Sequence, residues 1–256
     1  MTQYKKSVRI TCGAISIFSL FLLWYLATKG TDLGRIMPGP VEVIRAFLGS
    51  FVHPIGKYTI IGHTLWSLSR VFVGFLIASM TGILIGLGMG WSRTVAAVFK
   101  PLIEMVRPIP AIAWIPLAIL WFGLGETTKY FLIFLAAFFN VTLNAYRGAV
   151  SVDPQLIGAA RMLGTKEKDI FFSVVLPSSV PYIFAGLQIA VTTSWATVVA
   201  AEMVRSSEGL GWLINSGREI NDTVRIFTGI LAVGLMGFVF ANIMREVEAR
   251  VCRWNS

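Results

Sequence analysis

Long stretches without any charged side chain dominate this sequence and limit what it can fold into. A helix needs about 20 apolar residues to cross a hydrocarbon core of about 30 Å, and a backbone in lipid must satisfy its own hydrogen bonds. We expect six membrane-spanning helices, at about residues 10–27, 71–92, 108–125, 130–146, 180–201 and 226–244. The sequence therefore predicts an all-α polytopic membrane protein, with one domain over residues 1–256.

The composition agrees with a membrane location and argues against a nucleic-acid-binding module. Only 14% of the residues are charged, and the mean hydropathy is +0.73, whereas soluble domains carry about 25% charged residues. The net charge of +9 comes from basic residues that flank the apolar stretches. Nucleic-acid binding calls for a basic stripe with interleaved aromatic residues instead. We therefore expect the membrane as a partner and no nucleic acid.

Basic residues near the apolar stretches predict the orientation, because cytoplasmic loops are enriched in Lys and Arg. Placing the N-terminus inside puts Lys5, Lys6 and Arg9 on the inner side, together with Arg250 and Arg253 after the last stretch. The first stretch is long for a signal peptide, and no good cleavage site follows it. We therefore expect a retained first helix and both termini in the cytoplasm.

A polar segment separates the fourth and fifth apolar stretches. Asp153-Pro154 is a helix start, with Asp as N-cap and Pro at the first helical position, and Gly164 is a typical helix stop. Thr165 then caps a second helix that runs to about Leu176, and prolines at 177 and 181 mark the start of the fifth span. This pattern predicts a helix–Gly–helix elbow over residues 153–177 on the cytoplasmic side. By itself it equally fits an interfacial hairpin that only caps the bundle.

The elbow resembles the "EAA" loop of ABC importer permeases, whose pattern is E-A-A-x(3)-G-x(9)-I-x-L-P. Ala159, Ala160, Gly164 and the pair Leu176-Pro177 match it. Gly158 stands in place of the Glu and Val174 in place of the Ile, so contacts of that Glu are not expected here. In that family the elbow docks into a cleft of the ATP-hydrolysing subunit. The resemblance therefore assigns ATPase coupling to Gly158, Ala159, Ala160, Arg161, Leu163 and Gly164.

Three further segments resemble the nitrate/sulfonate/taurine/bicarbonate permeases: MPGPVEV at 37–43, RPIPAIAWIPLAILWFGLGETTK at 107–129 and SVDPQLIGAARMLG at 151–164. Residues 195–214 look most like the taurine branch. The resemblance implies a MetI-like ABC permease fold in the bacterial inner (plasma) membrane. It also implies a homodimer, two ABC ATPase subunits and an external substrate-binding protein, periplasmic or lipid-anchored. The expected activity is import of a small anion such as taurine, an alkanesulfonate, nitrate or bicarbonate by alternating access.

Motifs for nucleotide binding or catalysis are missing from the sequence. The pair Gly56-Lys57 lacks the upstream Gly of a P-loop, and neither H-E-x-x-H nor G-x-S-x-G occurs. We interpret His53 and His63 as ordinary interfacial residues, and Cys12 and Cys252 as structural or incidental. We expect no enzyme activity and no cofactor in this chain. The resemblance assigns ATP and Mg to the partner ATPase.

Polar residues inside the apolar stretches are candidates for the translocation path, because an unsatisfied polar group in hydrocarbon costs several kcal/mol. The candidates are Arg107, Trp114, Asn140, Asn144, Gln188, Thr192 and Trp195. The alternatives are hydrogen bonding between helices for the polar residues, a membrane anchor for Arg107 and packing for the tryptophans. For Thr193 and Ser194 we expect only hydrogen bonding within the bundle.

The last outer segment, residues 202–225, is long for a simple connection. Leu210, Leu213 and Ile214 form one apolar helical face within it. In importers of the family that the chain resembles, the outer face receives the loaded binding protein. Glu202, Leu210 and Trp212 are therefore our candidates for docking or for an outer gate.

Other functions remain open at this point. Gly82, Gly86 and Gly90 form a small-xxx-small ladder that favours close helix packing, with a pore or dimer role as the alternative. A proton-coupled carrier is disfavoured because the apolar stretches contain no Asp, Glu or His, and a sodium-coupled carrier less so. A passive channel, a scaffold protein, and an ABC permease for another small organic solute stay as alternatives.

Overall fold

Helices make up the regular secondary structure of this protein. The computed structural model describes residues 2–251, with the side chains of residues 2–7, 9, 10 and 35 left out. The elements are α1 (Thr2–Thr28), α2 (Leu33–Ile36), α3 (Pro40–Gly49), α4 (Ile60–Trp91), α5 (Arg93–Val106), a 3-10 turn (Ala111–Trp114), α6 (Ile115–Phe122), α7 (Glu126–Val150), α8 (Pro154–Met162), α9 (Glu167–Ile170), a π-helical turn (Phe171–Val175), α10 (Leu176–Val204), α11 (Leu210–Glu219) and α12 (Thr223–Val251). Between residues 2 and 251 there is no β-strand, which confirms the predicted all-α class.

The centre of the bundle is formed by α4, α7 and α10. Gly82, Gly86 and Gly90 of α4 all face α7 closely, and at Gly86 and Gly90 a side chain would not fit. A Cβ atom at Gly86 would overlap the carbonyl oxygen of Thr142, and one at Gly90 would overlap the Cβ of Ala149. The glycine ladder therefore packs two helices of the same chain against each other.

The number of membrane-spanning helices depends on one bent pair. Within residues 2–251, five helical segments are long and apolar enough to cross a membrane: residues 11–28, 60–91, 126–150, 167–204 and 223–251. The predicted third span at 108–125 is not one straight helix, because α6 has only 8 residues. Helix α5 and the segment Ala111–Phe122 meet at 86°, where Pro108 and Pro110 supply no backbone N–H. The count is six if this pair forms one broken span.

The boundary between the elbow and the fifth span differs from the sequence prediction. The helix runs without a break from α9 through the π turn into α10, so neither Pro177 nor Pro181 starts a new helix. Leu176 N–H donates to the carbonyl of Phe171, five residues back. This wider turn accommodates a proline at the next position, since Pro has no N–H to donate.

The largest core cluster lies between α4, α7, α10, α11 and α12. It is formed by Ile60, Val71, Ile133, Trp195, Val198, Leu210, Leu213 and Ala232. The outer helix α11 thus contributes two leucines to the core, although it follows the end of the long helix α10. Because of this packing, the apolar face of α11 that the sequence predicted is covered within the chain.

At the periphery, α1 and α3 pack near α12. The indole Nε1–H of Trp24 donates to the carbonyl of Pro38 at 3.1 Å, and its ring stacks on Phe227 at 5.9 Å. Helix α3 buries Pro40 and Val43. Cys12 is exposed, whereas Cys252 and the side chains of Lys5, Lys6, Arg9 and Arg253 lie outside the described residues.

Candidate functional site

A partly open cavity of about 330 Å³ lies between the 3-10 turn, α7 and α10. Its polar wall is formed by Arg107, Asn140, Thr193 and Thr197, and the remaining lining residues are apolar. Arg107 is exposed and ends α5, directly before the bend. The lining contains one fixed positive charge and no carboxylate, so the cavity suits a small anion.

Hydrogen bonds hold the polar wall of the cavity in place. The Nδ2 of Asn140 donates to the carbonyl of Ala136 at 2.9 Å and to Thr193 Oγ1 at 3.4 Å. The hydroxyl of Thr193 also donates to that carbonyl, at 3.0 Å. Thr197 lies one helical turn further along α10 and is almost fully buried. The amide and the hydroxyl of Thr193 are thereby fixed across the contact between α7 and α10.

Arg107 and Asn140 are the two sequence candidates that the structure brings together at the cavity. Asn144 lies one turn away, and its amide donates to the carbonyl of Asn140 at 2.8 Å. On α10, the exposed Thr192 donates to the carbonyl of Gln188 at 3.1 Å. Asn144, Gln188 and Thr192 do not line the cavity.

The two tryptophan candidates take part in packing. Trp195 is buried, its Nε1–H donates to the carbonyl of Val233 at 3.0 Å, and its ring packs against Phe240 of α12. This corrects the prediction that Trp195 lies on the path, because α12 covers its side of α10. Trp114 packs against a small cluster around Leu132, with its ring 6.4 Å from that of Trp121.

Thr193 and Thr197 were not among our path candidates. The signal was present in the sequence, since the two residues are four apart and share one face of α10. However, sequence alone does not show that this face meets Asn140, and a Thr in a membrane helix commonly bonds to its own backbone.

The elbow has the ends that the sequence predicts. The carboxylate of Asp153 accepts the N–H of Gln155 at 2.8 Å, and Gly164 has a φ of +78°, which favours glycine. The second arm begins one residue later than expected, because Lys166 and not Thr165 precedes α9. Within the elbow, Arg161 forms a bidentate pair with Glu167 at 2.7 and 3.1 Å, which raises the pKa of Arg161.

The residues predicted to couple the elbow to an ATPase are open to the surroundings. Met162 and Leu163 are 85% and 86% exposed. A Cβ atom at Gly158 would meet nothing within 4 Å, and Ala159 is exposed while Ala160 is half-buried. Two large apolar side chains and a flat helical surface are thus left uncovered by this chain.

At the opposite end of α10, the start of α11 is held by side chains from two other helices. The N–H of Gly209 donates to His63 Nδ1 at 3.1 Å, that of Leu210 to Ser67 Oγ at 2.9 Å, and that of Gly211 to Glu202 Oε2 at 2.9 Å. The first N–H groups of a helix have no partner within the helix. Here each of the three N–H groups donates to a side chain of another helix.

A fully buried arginine, Arg70, joins His63, Ser67 and Glu202 at the start of α11, and we call this group the outer cluster. The guanidinium of Arg70 contacts both carboxylate oxygens of Glu126 at 2.6 and 2.8 Å, Glu202 Oε1 at 2.8 Å and Glu208 Oε1 at 3.1 Å. Lys129 joins through Glu126 at 2.7 Å and Ser206 at 2.9 Å. Arg70 was not among the candidates from the sequence, although His63, Ser67 and Arg70 are spaced to share one face of α4.

The structure corrects the predicted docking residues. Glu202 and Leu210 are buried, and the half-buried Trp212 stacks on His63 at 5.0 Å. None of them forms an open surface for a partner protein, because all three face inward on the chain itself. His63 is also fully buried and not interfacial, since α4 begins at Ile60 and carries it into the cluster.

Metal binding has no support in the described part of the chain. Over residues 2–251, no three His, Cys, Asp or Glu side chains are grouped so that they could hold a metal ion. The outer cluster holds its carboxylates with Arg70 and Lys129 instead.

Comparison with known families decides the class of protein. A family model described as binding-protein-dependent transport system inner membrane component matches residues 78–253, more than half of the chain. The chain belongs to this family. The assignment made from the elbow and the three other segments is therefore confirmed.

Individual relatives cover nearly the whole chain. The taurine transport system permease protein TauC of Escherichia coli (strain K12) is 33% identical, over 98% of this chain and 91% of TauC. The nitrate import permease protein NrtB of Synechococcus elongatus is 34% identical, over 78% of this chain and 75% of NrtB. Because the family and these relatives are inner membrane permeases, the chain is itself a multi-pass inner membrane protein with a role in transport.

Solved structures confirm the fold. A chain of the inward-facing MetNI methionine ABC transporter superposes with a TM-score of 0.64 at 18% identity, over 75% of this chain and 96% of that one. A chain of an amino acid ABC transporter with histidines has a TM-score of 0.63 at 19% identity, over 75% of this chain and 93% of that one. The protein is thus a permease subunit of an ABC importer with the predicted MetI-like fold.

Proposed function

We propose that this subunit forms the path for a small anionic solute and that a separate ATPase drives the transport. The observation that carries the solute class is the cavity wall of Arg107, Asn140, Thr193 and Thr197, which has one cation and no carboxylate. A guanidinium presents N–H groups in a planar fork that matches an oxyanion, and amide and hydroxyl groups complete the hydrogen bonding. The names of the taurine and nitrate relatives support the same class.

The remaining path residues have different parts in this proposal. The amide of Asn144 links neighbouring turns of α7, and Thr192 stays on the outside of α10, where its hydroxyl donates to the backbone carbonyl of Gln188. The open side of the cavity faces a second copy of the chain in the proposed homodimer. Trp114 packs beside the path against Leu132 and Trp121 and does not line the cavity.

Coupling to ATP hydrolysis takes place at the elbow in this proposal. Met162 and Leu163 are exposed on the arm of α8, where their burial against another protein would stabilise a complex. Two ABC ATPase subunits bind ATP and Mg, and each receives one elbow. The elbow and both termini lie on the cytoplasmic side, as the distribution of Lys and Arg predicts. A periplasmic or lipid-anchored binding protein delivers the solute at the outer face.

A transport assay with one substitution tests the anion path. The permease and its ATPase are reconstituted in liposomes with the external binding protein, and ATP-dependent uptake of taurine and nitrate is measured. Replacing Arg107→Gln removes the cation and should lower the uptake about 10- to 100-fold, since a hydrogen bond to a charged group is worth about 1.5–3 kcal/mol. Arg93→Gln is the matched control, because Arg93 is exposed on α5 and does not line the cavity. Equal uptake by the two variants would remove Arg107 from the path.

The same assay distinguishes the alternative functions. Uptake by liposomes that contain only this chain would indicate a passive channel or a secondary carrier. ATP-dependent uptake of an uncharged solute, but not of taurine, nitrate, sulfonate or bicarbonate, would keep the importer and replace the solute class.

A further inference from the structure

The start of α11 is built to be held in one position. Its three consecutive N–H groups donate to His63, Ser67 and Glu202. Since His63 accepts at Nδ1, its proton sits on Nε2, which donates to the carbonyl of Ile55 at 2.8 Å. One imidazole therefore links α4, α11 and the turn that precedes α4.

Glycines allow this close contact between α11 and α10. Gly209 has a φ of +109°, and a Cβ atom there would overlap the carboxylate of Glu202. A Cβ atom at Gly211 would overlap the carbonyl oxygen of Val199. The main chain of α11 thus approaches α10 to a distance at which no side chain fits.

Arg70 joins all the elements around this contact. A guanidinium has five N–H donors, and Arg70 makes five hydrogen bonds: two to Glu126 of α7, one to Glu202 of α10, and two to Glu208, through its carboxylate and its carbonyl oxygen. The hydroxyl of Ser67 donates to Glu202 while it accepts from Leu210, so it also bridges α10 and α11.

Lifting α11 away from the bundle would disrupt this cluster in two ways. Buried charges would lose their partners, which is strongly unfavourable in a low-dielectric interior. Leu210 and Leu213, which are fully buried in the largest core cluster, would be exposed. A movement that keeps α4, α7, α10 and α11 together has neither cost.

We propose that Arg70 is a positioning residue of the transport cycle, which keeps α11 fixed on α4, α7 and α10 so that the four helices move as one body. In this arrangement α11 is a rigid outer platform and does not open as a lid over the path. The exposed end of α11 at Arg218 and Glu219 is then a surface of fixed position for a protein that docks from outside. The inference rests on the proposed importer function, since it concerns the movements during transport.

Cysteine labelling during turnover tests this rigid body. In a Cys12→Ser, Cys252→Ser background, three single-cysteine reporters are made: Ser216→Cys on the buried side of α11, Glu219→Cys at its exposed end, and Ser50→Cys, which is buried after α3 outside the cluster. The complex with its ATPase is labelled in liposomes with a membrane-impermeant maleimide, without nucleotide and during ATP hydrolysis. We expect Ser216→Cys to react at least about 10-fold more slowly than Glu219→Cys in both states. Equally fast labelling of both during hydrolysis would show that α11 lifts, and would overturn the proposal.

A second set of variants tests the cluster itself without removing Arg70. Ser67→Ala removes the acceptor of the Leu210 N–H, and Glu208→Gln removes the ionic part of the contact with Arg70, so each weakens one link to α11 and should raise the labelling rate of Ser216→Cys severalfold. The rate of Ser50→Cys should stay unchanged, whereas a variant that only destabilises the fold would raise both rates. Glu246→Gln is the matched control, since it breaks an exposed pair with Arg250 on α12. Unchanged labelling at Ser216→Cys would remove the positioning role.

The outcome is separable from that of the proposed function. Slow labelling at Ser216→Cys together with ATP-dependent uptake of a neutral solute would leave the rigid body standing and reject only the anion path. Labelling that shows α11 lifting, together with anion uptake, would reject the rigid body and leave the anion path standing.

Discussion

The outer cluster and the elbow lie at opposite ends of the helix that runs from α9 through α10, and they differ in whether their side chains are bonded within this chain. Around Arg70, a buried guanidinium and three N–H groups of α11 are all bonded within the chain. At the elbow, the pair Arg161–Glu167 is more than half exposed, and Leu163 is 86% exposed. The first region is complete within one chain, whereas the second presents apolar surface to another molecule.

This difference separates two kinds of residue that sequence motifs alone treat alike. Leu210 and Leu163 are both leucines beside a glycine in a polar segment, but only Leu163 is available for contact with a partner. Substitutions at the outer cluster should therefore change the stability of the fold. Substitutions at the elbow should change assembly with the ATPase and leave the fold intact.

The largest effect on the free energy of unfolding is expected from the substitution Arg70→Met. Glu202 would remain buried without its ionic partner, and breaking a buried pair in this way costs about 3–5 kcal/mol. Arg161→Met, which breaks the exposed pair at the elbow, should cost far less, because solvent screens an exposed ion pair. Unfolding of the two detergent-solubilised variants, followed by circular dichroism, compares the costs. Similar midpoints for both would contradict the distinction between the two regions.

A smaller effect is expected from adding one methyl group. Gly209→Ala forces a side chain onto a backbone with φ of +109° and into the carboxylate of Glu202, so we expect a loss of about 1–3 kcal/mol. Gly158→Ala is the counterpart at the elbow, where the added Cβ meets open space within α8. It should stabilise the fold by about 0.5–1 kcal/mol, because Ala is the better helix former. The same unfolding measurement applies, and a destabilising Gly158→Ala would show that the elbow is packed inside the chain after all.

The smallest effect on stability is expected at Leu163. Leu163→Asp should change the free energy of unfolding by no more than about 0.5 kcal/mol, as is usual for an exposed site. It should nevertheless reduce the amount of ATPase that co-purifies with the permease, since the apolar contact is lost. Val251→Asp, at the exposed end of α12, is the control for an added charge. Full recovery of the ATPase with Leu163→Asp would remove this residue from the coupling surface.

The elbow was predictable because its signals are local. Asp153, Pro154 and Gly164 act on their own helix ends, so α8 was placed to within one residue. The outer cluster was not predictable in the same way, because Arg70 finds its partners 56, 132 and 138 residues further along the chain. No local spacing indicates which acidic residue will meet it. Only the shared face of His63, Ser67 and Arg70 was visible in the sequence.

The apolar stretches predicted most of the long helices, but not how their faces are used. Trp195 shares a helical stripe with Gln188 and Thr192, yet α12 covers the tryptophan while Thr192 stays exposed. Prolines at 108 and 110 were evident, but not the bend of 86°. Both depend on which helix packs beside which, and that is decided by contacts between distant segments.

The unbroken helix from Glu167 to Val204 has a mechanical consequence. Its 38 residues correspond to about 57 Å at 1.5 Å per residue, longer than the roughly 40–45 Å of a whole bilayer. Such a rod acts as a lever with its fulcrum inside the membrane, and a tilt of about 10° about its midpoint would displace each end by about 5 Å in opposite directions. Glu167 is at one end of the lever and Glu202 is near the other. A tilt imposed at the elbow would therefore displace the outer cluster around Arg70 in the opposite direction, reduced by any bending of the helix at the π turn and at Pro181.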